Sequence, residues 1–165
     1  MLTDLRTILL RDLEALGREI ALYPDDQAPW TERPGLPNTG GTLARHLAGN
    51  LRHYIGAQLG GTGYVRNRDA EFSTRGLTRA ELSADVAQAA ADVDRTLAAL
   101  DPSRLDEPYP LSFGGQAVPT RRFLLHLAVH LTYHLGQIDY HRRAVTGDAT
   151  AANAISLPAL VDPGA

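Results

Sequence analysis

The sequence predicts an all-α protein, a four-helix bundle with long inter-helix loops. Apolar residues recur at helical steps over four stretches of about 20 residues each. The stretches are separated by connections rich in proline, glycine and polar residues. Two of them also carry histidines at helical spacing, so that two imidazole stripes face one another across the bundle.

The first helix is predicted over 3–22. Leu2, Leu5, Leu9, Leu13, Leu16 and Ile20 draw one apolar stripe. Asp4 suits the positive end of the helix dipole, and Pro24 stops the helix. Residues 24–41 hold four prolines and three glycines and form a long loop. Its Trp30, the only tryptophan, either plugs one end of the bundle or walls a substrate pocket.

A second helix starts near Thr39 or Thr42, either of which can cap it, and ends at Gly60-Gly61. His46, Asn50, His53 and Tyr54 fall on one side, beside Leu43, Leu47 and Leu51. A polar stripe bordered by leucines is partly buried, and buried polar groups need partners. Residues 61–77 read as a polar linker. Its Arg66, Arg68 and Arg75 suit a solvated loop, or else a basic lip for an anionic substrate.

Thr78-Arg-Ala-Glu81 is a capping box that opens a third helix, which runs to Leu100 before Asp101-Pro102. Residues 107–119 suggest two short extended pieces around Gly114-Gly115, a possible hairpin. Thr120 is expected to cap the fourth helix, which ends near Thr146-Gly147. The bundle thus spans 1–147. The tail, 148–165, carries Ile155, Leu157, Leu160 and Val161, and is expected to dock on the bundle or on a second subunit.

Composition narrows the function. A chain of 165 residues with 44% hydrophobic and 21% charged residues is ordinary for one soluble domain. Its net charge of -3 gives no reason to expect nucleic acid. The first 20 residues lack the apolar segment of a signal peptide, and no stretch is apolar enough to span a membrane. The expected location is the cytoplasm. With no cysteine, a metal must be held by imidazole, carboxylate or water.

The fourth helix carries four of the six histidines. His126, His130, His134 and His141 lie within an arc of about 80°. Imidazoles four residues apart can grip one ion, because their Cβ atoms are roughly 5–6 Å apart. Those seven or eight apart are separated by about 10–12 Å and cannot. The chelating pair is therefore His126 with His130, or His130 with His134. His46 or His53 on the facing helix supplies a third ligand. Three imidazoles leave a position open for water or substrate, as in catalytic sites. Paired Glu-x-x-His motifs of di-iron bundles and the His-Glu-x-x-His motif are both absent.

His130-Leu-Thr-Tyr-His134-Leu-Gly-Gln137, together with His46, resembles the DinB/YfiT-like superfamily of bacterial metal-binding four-helix bundles. Residues 42–53 look like an uncharacterised DinB-like subgroup. The resemblance implies His46, His130 and His134 as ligands of one divalent transition metal, Zn or Ni first, with Fe or Mn as alternatives. It further implies a homodimer and a small-molecule substrate. Relatives include transferases that use low-molecular-weight thiols such as bacillithiol or mycothiol, and proteins described as metal-dependent hydrolases. Non-catalytic metal binding in a stress response is a third reading. Where many members have arginine before Gly-Gln, this chain has Leu135. Asn50 and Gln137, one turn from ligands, either hydrogen-bond substrate or water or pack as amides. His53, His126 and His141 line the pocket, orient ligands, or serve as polar bundle residues.

Overall fold

The computed structural model describes residues 1–160 and is all-helical, with no strand among them. Four long helices make the bundle. They are α1 (Leu2–Ala21), α2 (Gly40–Leu51, prolonged by Arg52–Ala57 and Gln58–Gly60), α4 (Arg79–Ala99) and α5 (Thr120–Thr146), and a short α3 (Arg68–Ser73) joins α2 to α4. Both α1 and α2 pack against α4 and against α5. No helix among the described residues is long and apolar enough to cross a membrane.

The apolar stripe of α1 is buried as its periodicity predicts, with Leu5, Leu9, Leu13, Leu16 and Ile20 in the core. Leu47, Leu51 and Ile55 of α2 meet Leu124, Leu127, Leu131 and Ile138 of α5 in the same core. His46 lies by His130 and His134, while Tyr54 packs on Phe123 with ring centroids 5.2 Å apart. Residue numbers rise on one helix as they fall on the other, so α2 and α5 run antiparallel. Asn50, midway between His46 and Tyr54, therefore sits at the level between Phe123 and His130.

Thr39 caps α2 by accepting a hydrogen bond from the Thr42 amide. Gly40 and Gly41, expected in the loop, form the first helical turn instead. A Cβ on Gly41 would press on the Trp30 ring, which donates its Nε1–H to Leu77 O at 2.8 Å. Trp30 is buried there as a plug between the loop and the bundle. The second half of α2 is π-helical over Arg52–Ala57. Simple helical periodicity does not reveal that extra residue.

Two further expectations need correction. The 61–77 connection is not all solvated linker. Asn67 accepts from Ala70 N and caps α3, which buries Glu71 against α2. Thr120 does not cap α5. Pro119 occupies the cap position, and Thr120 Oγ1 donates to Glu107 O. The capping box of Thr78 and Glu81 forms as predicted. Residues 107–119 turn back at Gly114-Gly115 through reciprocal Phe113–Gln116 bonds, but they make isolated bridges rather than strands.

The tail beyond α5 lies along the bundle: Ala152 is buried, Ala154 packs against the core, and the Pro158–Leu160 turn lies against α1. Arg18 Nε donates to Ala152 O at 2.8 Å, and the wholly buried Arg142 donates to Thr150 O at 2.6 Å. Ile155 and Leu157 are exposed. Val161, the last apolar residue of the expected docking segment, lies outside the described residues.

Candidate metal centre

His46 projects from the second turn of α2, and His130 and His134 from successive turns of α5. One ring nitrogen from each lies within 4.8 Å of the others. The Nε2 atoms of His46 and His130 are 3.3 Å apart. Two nitrogens about 2.0–2.1 Å from one tetrahedral ion are separated by about 3.3 Å, so this spacing fits a shared metal.

The outward-facing nitrogens decide which atoms are free. His46 Nδ1 is 3.0 Å from Glu71 Oε2, and a carboxylate can only accept, so Nδ1 carries the proton and Nε2 the lone pair. His134 Nδ1 is 2.6 Å from Gln137 Oε1, which fixes its tautomer in the same sense. His130 Nδ1 is buried without a hydrogen-bond partner among the described residues. This is the carboxylate–histidine arrangement that orients metal ligands.

Glu71 is itself held in place. Arg66 donates from Nε to Oε1 at 2.7 Å and from Nη2 to Oε2 at 2.8 Å. Arg66 Nη2 also lies 3.4 Å from His46 Nδ1, but both groups are donors there, so their common acceptor is Glu71. Burial alone lifts the Glu71 carboxyl. The hydrogen bonds from Arg66 and His46 outweigh it and hold the group below the ordinary glutamate range. A carboxylate can approach α2 so closely because residue 49 is glycine; a Cβ there would overlap Glu71 Oε1.

Burial and the neighbouring imidazoles of His134 and His46 push His130 down to about 4. His134 is likewise lowered by burial, against the Gln137 bond that raises it. Both are neutral at pH 7 and can offer lone pairs.

The other predicted residues divide. Gln137 is exposed and touches the site through His134. Asn50 is buried with its Oδ1 unpartnered among the described residues, and so is the Nδ1 of His53. Burial lowers the His53 pKa, with Arg66 adding to the effect. His126 is exposed, its ring 6.0 Å from that of His130, and stands outside the three-nitrogen cluster. His141 is elsewhere: Tyr23 donates to its Nδ1 at 2.7 Å and its Nε2–H donates to Thr31 O at 2.9 Å. That histidine ties the 24–39 loop to α5.

Glu71 is the residue sequence reasoning missed, and Arg66, expected in a solvated loop or a basic lip, instead holds Glu71. The only signal was Asn67 with Asp69 and Glu71, a cap and acidic first turn inside a stretch that otherwise reads as linker. Comparison with known families matches residues 4–147 to mycothiol-S-transferase. The chain belongs to the mycothiol-S-transferase family. This family is DinB-like, in agreement with the superfamily that the His130–Gln137 motif resembles; the match does not single out a subgroup. No match was found among curated proteins or among solved structures. The mycothiol-S-transferase match covers all four long helices, and with them every residue of the histidine cluster.

Proposed function

We propose that the protein is a metal-dependent thiol S-transferase, in which His46, His130 and His134 hold one divalent transition metal, Zn or Ni in first place. The co-substrate is a low-molecular-weight thiol of the mycothiol type and the second substrate a small electrophile. The observation that carries this reading is the cluster of three imidazole nitrogens within 4.8 Å, two of them with their tautomers set by Glu71 and Gln137. Family membership supplies the thiol.

A divalent ion held by neutral imidazoles keeps its full positive charge, and as a Lewis acid it favours the thiolate over the thiol near neutral pH. The chain's own residues do the positioning. Glu71 keeps Nε2 of His46 aimed inward, Arg66 keeps Glu71 ionised, and Gln137 does for His134 what Glu71 does for His46. Asn50, His53 and His126 contribute polar groups around the cluster on the side towards Tyr54 and Phe123. In the overall reaction a C–S bond forms at the electrophilic carbon. The leaving group departs with its bonding pair, and the thiol proton passes to solvent.

In this reading the protein acts in the cytoplasm as a homodimer. Support for the dimer is the exposed apolar pair Leu125 and Val129 on α5, beside Ile8 of α1. The deciding experiment pairs elemental analysis with turnover of 1-chloro-2,4-dinitrobenzene and mycothiol. About one metal per chain and thiol-dependent product are expected for the wild type, with both lost in His134→Ala. Metal-replete protein without thiol-dependent turnover would overturn the transferase reading.

A further inference from the structure

A groove of about 390 Å3 runs from the histidine cluster along the outer side of α5. Leu36, Pro37 and Leu43 line one wall and Tyr133, Tyr140 and Ala144 the other, with His134 and Gln137 at its inner end. From His134 to Ala144 the helix rises about 15 Å, the length of a small organic molecule. The volume also falls within the range of small-molecule sites, about 300–1,000 Å3.

Two features say what the groove takes. Large apolar side chains stand open to solvent here: Tyr133 is 64% exposed, Tyr140 76% and Leu36 45%. Exposed aromatic faces at this density favour flat, apolar partners. The lining also contains no arginine, lysine, aspartate or glutamate. Its second histidine, His141, is committed to Tyr23 and Thr31 and is lowered by burial, so it stays neutral. Arg33 stands at the far end, where its Nη2 donates to Ala144 O at 2.8 Å; between the apolar walls towards His134 an anionic ligand would lose hydration with no arginine or lysine beside it. Glu71 accepts from His46 Nδ1 and from Arg66, and neither Arg66 nor Glu71 lines the groove.

We infer that this groove is a binding subsite for a neutral, apolar and preferably aromatic compound. On the reading above, that compound is the electrophile, presented with its reactive carbon at the His134 end. The leucine, proline and tyrosine walls then set specificity and leave the polar surroundings of Asn50, His53 and Arg66 to the thiol.

The test separates this inference from the transferase reading by using ligands that cannot react. 4-Nitrotoluene and 4-nitrobenzenesulfonate share a ring and differ in charge; the sulfonate is a weak metal ligand. Each is titrated against zinc-loaded protein without thiol, followed by ligand-observed NMR. 4-Nitrotoluene is expected to bind at least tenfold more tightly. Ala144→Trp, a substitution at an exposed position, should weaken it at least tenfold with zinc stoichiometry unchanged. If that variant fails to fold, Tyr140→Ala should show the same loss. Preference for the sulfonate, or binding indifferent to both substitutions, would overturn the inference. So would sedimentation showing a wild-type dimer that Ala144→Trp dissociates, since a second copy would then fill the groove. Binding as expected without thiol-dependent turnover would leave the subsite standing and remove the transferase reading alone.

Discussion

His46 Nδ1 lies 3.0 Å from Glu71 Oε2, and this contact determines that the opposite nitrogen of His46 faces His130. Glu71 comes from a six-residue helix, α3, that folds back over α2. The orientation of the central imidazole therefore depends on a segment 25 residues away in the chain.

Replacing Glu71 with glutamine keeps an acceptor for His46 but removes the charge. Zinc affinity should fall roughly tenfold to a hundredfold, the usual effect of losing a carboxylate partner of a ligand. Competition with a chromophoric chelator measures it. Unchanged affinity would show that Glu71 holds Arg66 and nothing more.

Gly49→Ala probes the same contact without touching a ligand or its partner. Alanine should favour the helix by about 1 kcal/mol, yet its Cβ would overlap Glu71 Oε1. Zinc affinity should drop while α2 remains helical. A variant with wild-type affinity would mean that Glu71 can relocate at no cost to His46.

His130→Ala should abolish stoichiometric metal binding and leave the far-ultraviolet circular dichroism nearly unchanged. The ring is neutral and half-buried, and its Nδ1 makes no hydrogen bond among the described residues. Retained one-to-one zinc in mass spectrometry under native conditions would move the site elsewhere.

The metal-free protein should lose stability as pH falls below neutrality. The unfolded chain protonates His130 near 6.5, whereas burial and its imidazole neighbours hold the folded group at about 4. Between those values the unfolded state binds more protons, so stability decreases from pH 6.5 towards 4. Urea midpoints at pH 7 and pH 5 should differ less in His130→Gln than in wild type. Zinc affinity should also fall as pH drops, because His130 must be neutral to offer its lone pair.

Arg142→Ala should be among the most damaging substitutions far from the site. Arg142 is wholly buried, donates to Glu19 and Asp139, and gathers Asp148 O and Thr150 O of the tail. Removing one member of a buried pair typically costs about 3–5 kcal/mol. Urea denaturation measures the loss, and a change below about 1 kcal/mol would mean that Glu19 finds another partner.

Much of the bundle was legible because it follows from local periodicity. The Leu5–Ile20 stripe, the capping box at Thr78 and the Gly61 and Gly147 stops are each set by residues within a turn or two. The histidine pairs were legible for the same reason, since i,i+4 spacing on a helix fixes proximity. Spacing left two pairs and two facing histidines open, and the choice among them rested on the resemblance to DinB-like bundles. Glu71 was hidden because its role depends on where α3 lands, a tertiary fact with no period. Gly40 and Gly41 read as loop because glycine usually breaks helices, whereas here the crowding of Tyr23 and Trp30 leaves no room for a Cβ.

The π-helical segment Arg52–Ala57 divides α2 into two independently adjustable halves. Loss of one residue there would rotate the last turn, Gln58–Gly60, by about 100° relative to His46. His46 precedes the segment, and His130 and His134 stand on a separate helix that packs on α2 through its own contacts. A lineage could thus re-aim the Gly60–Tyr64 corner by insertion or deletion while inheriting the same histidine cluster, a hinge in evolutionary time rather than in motion.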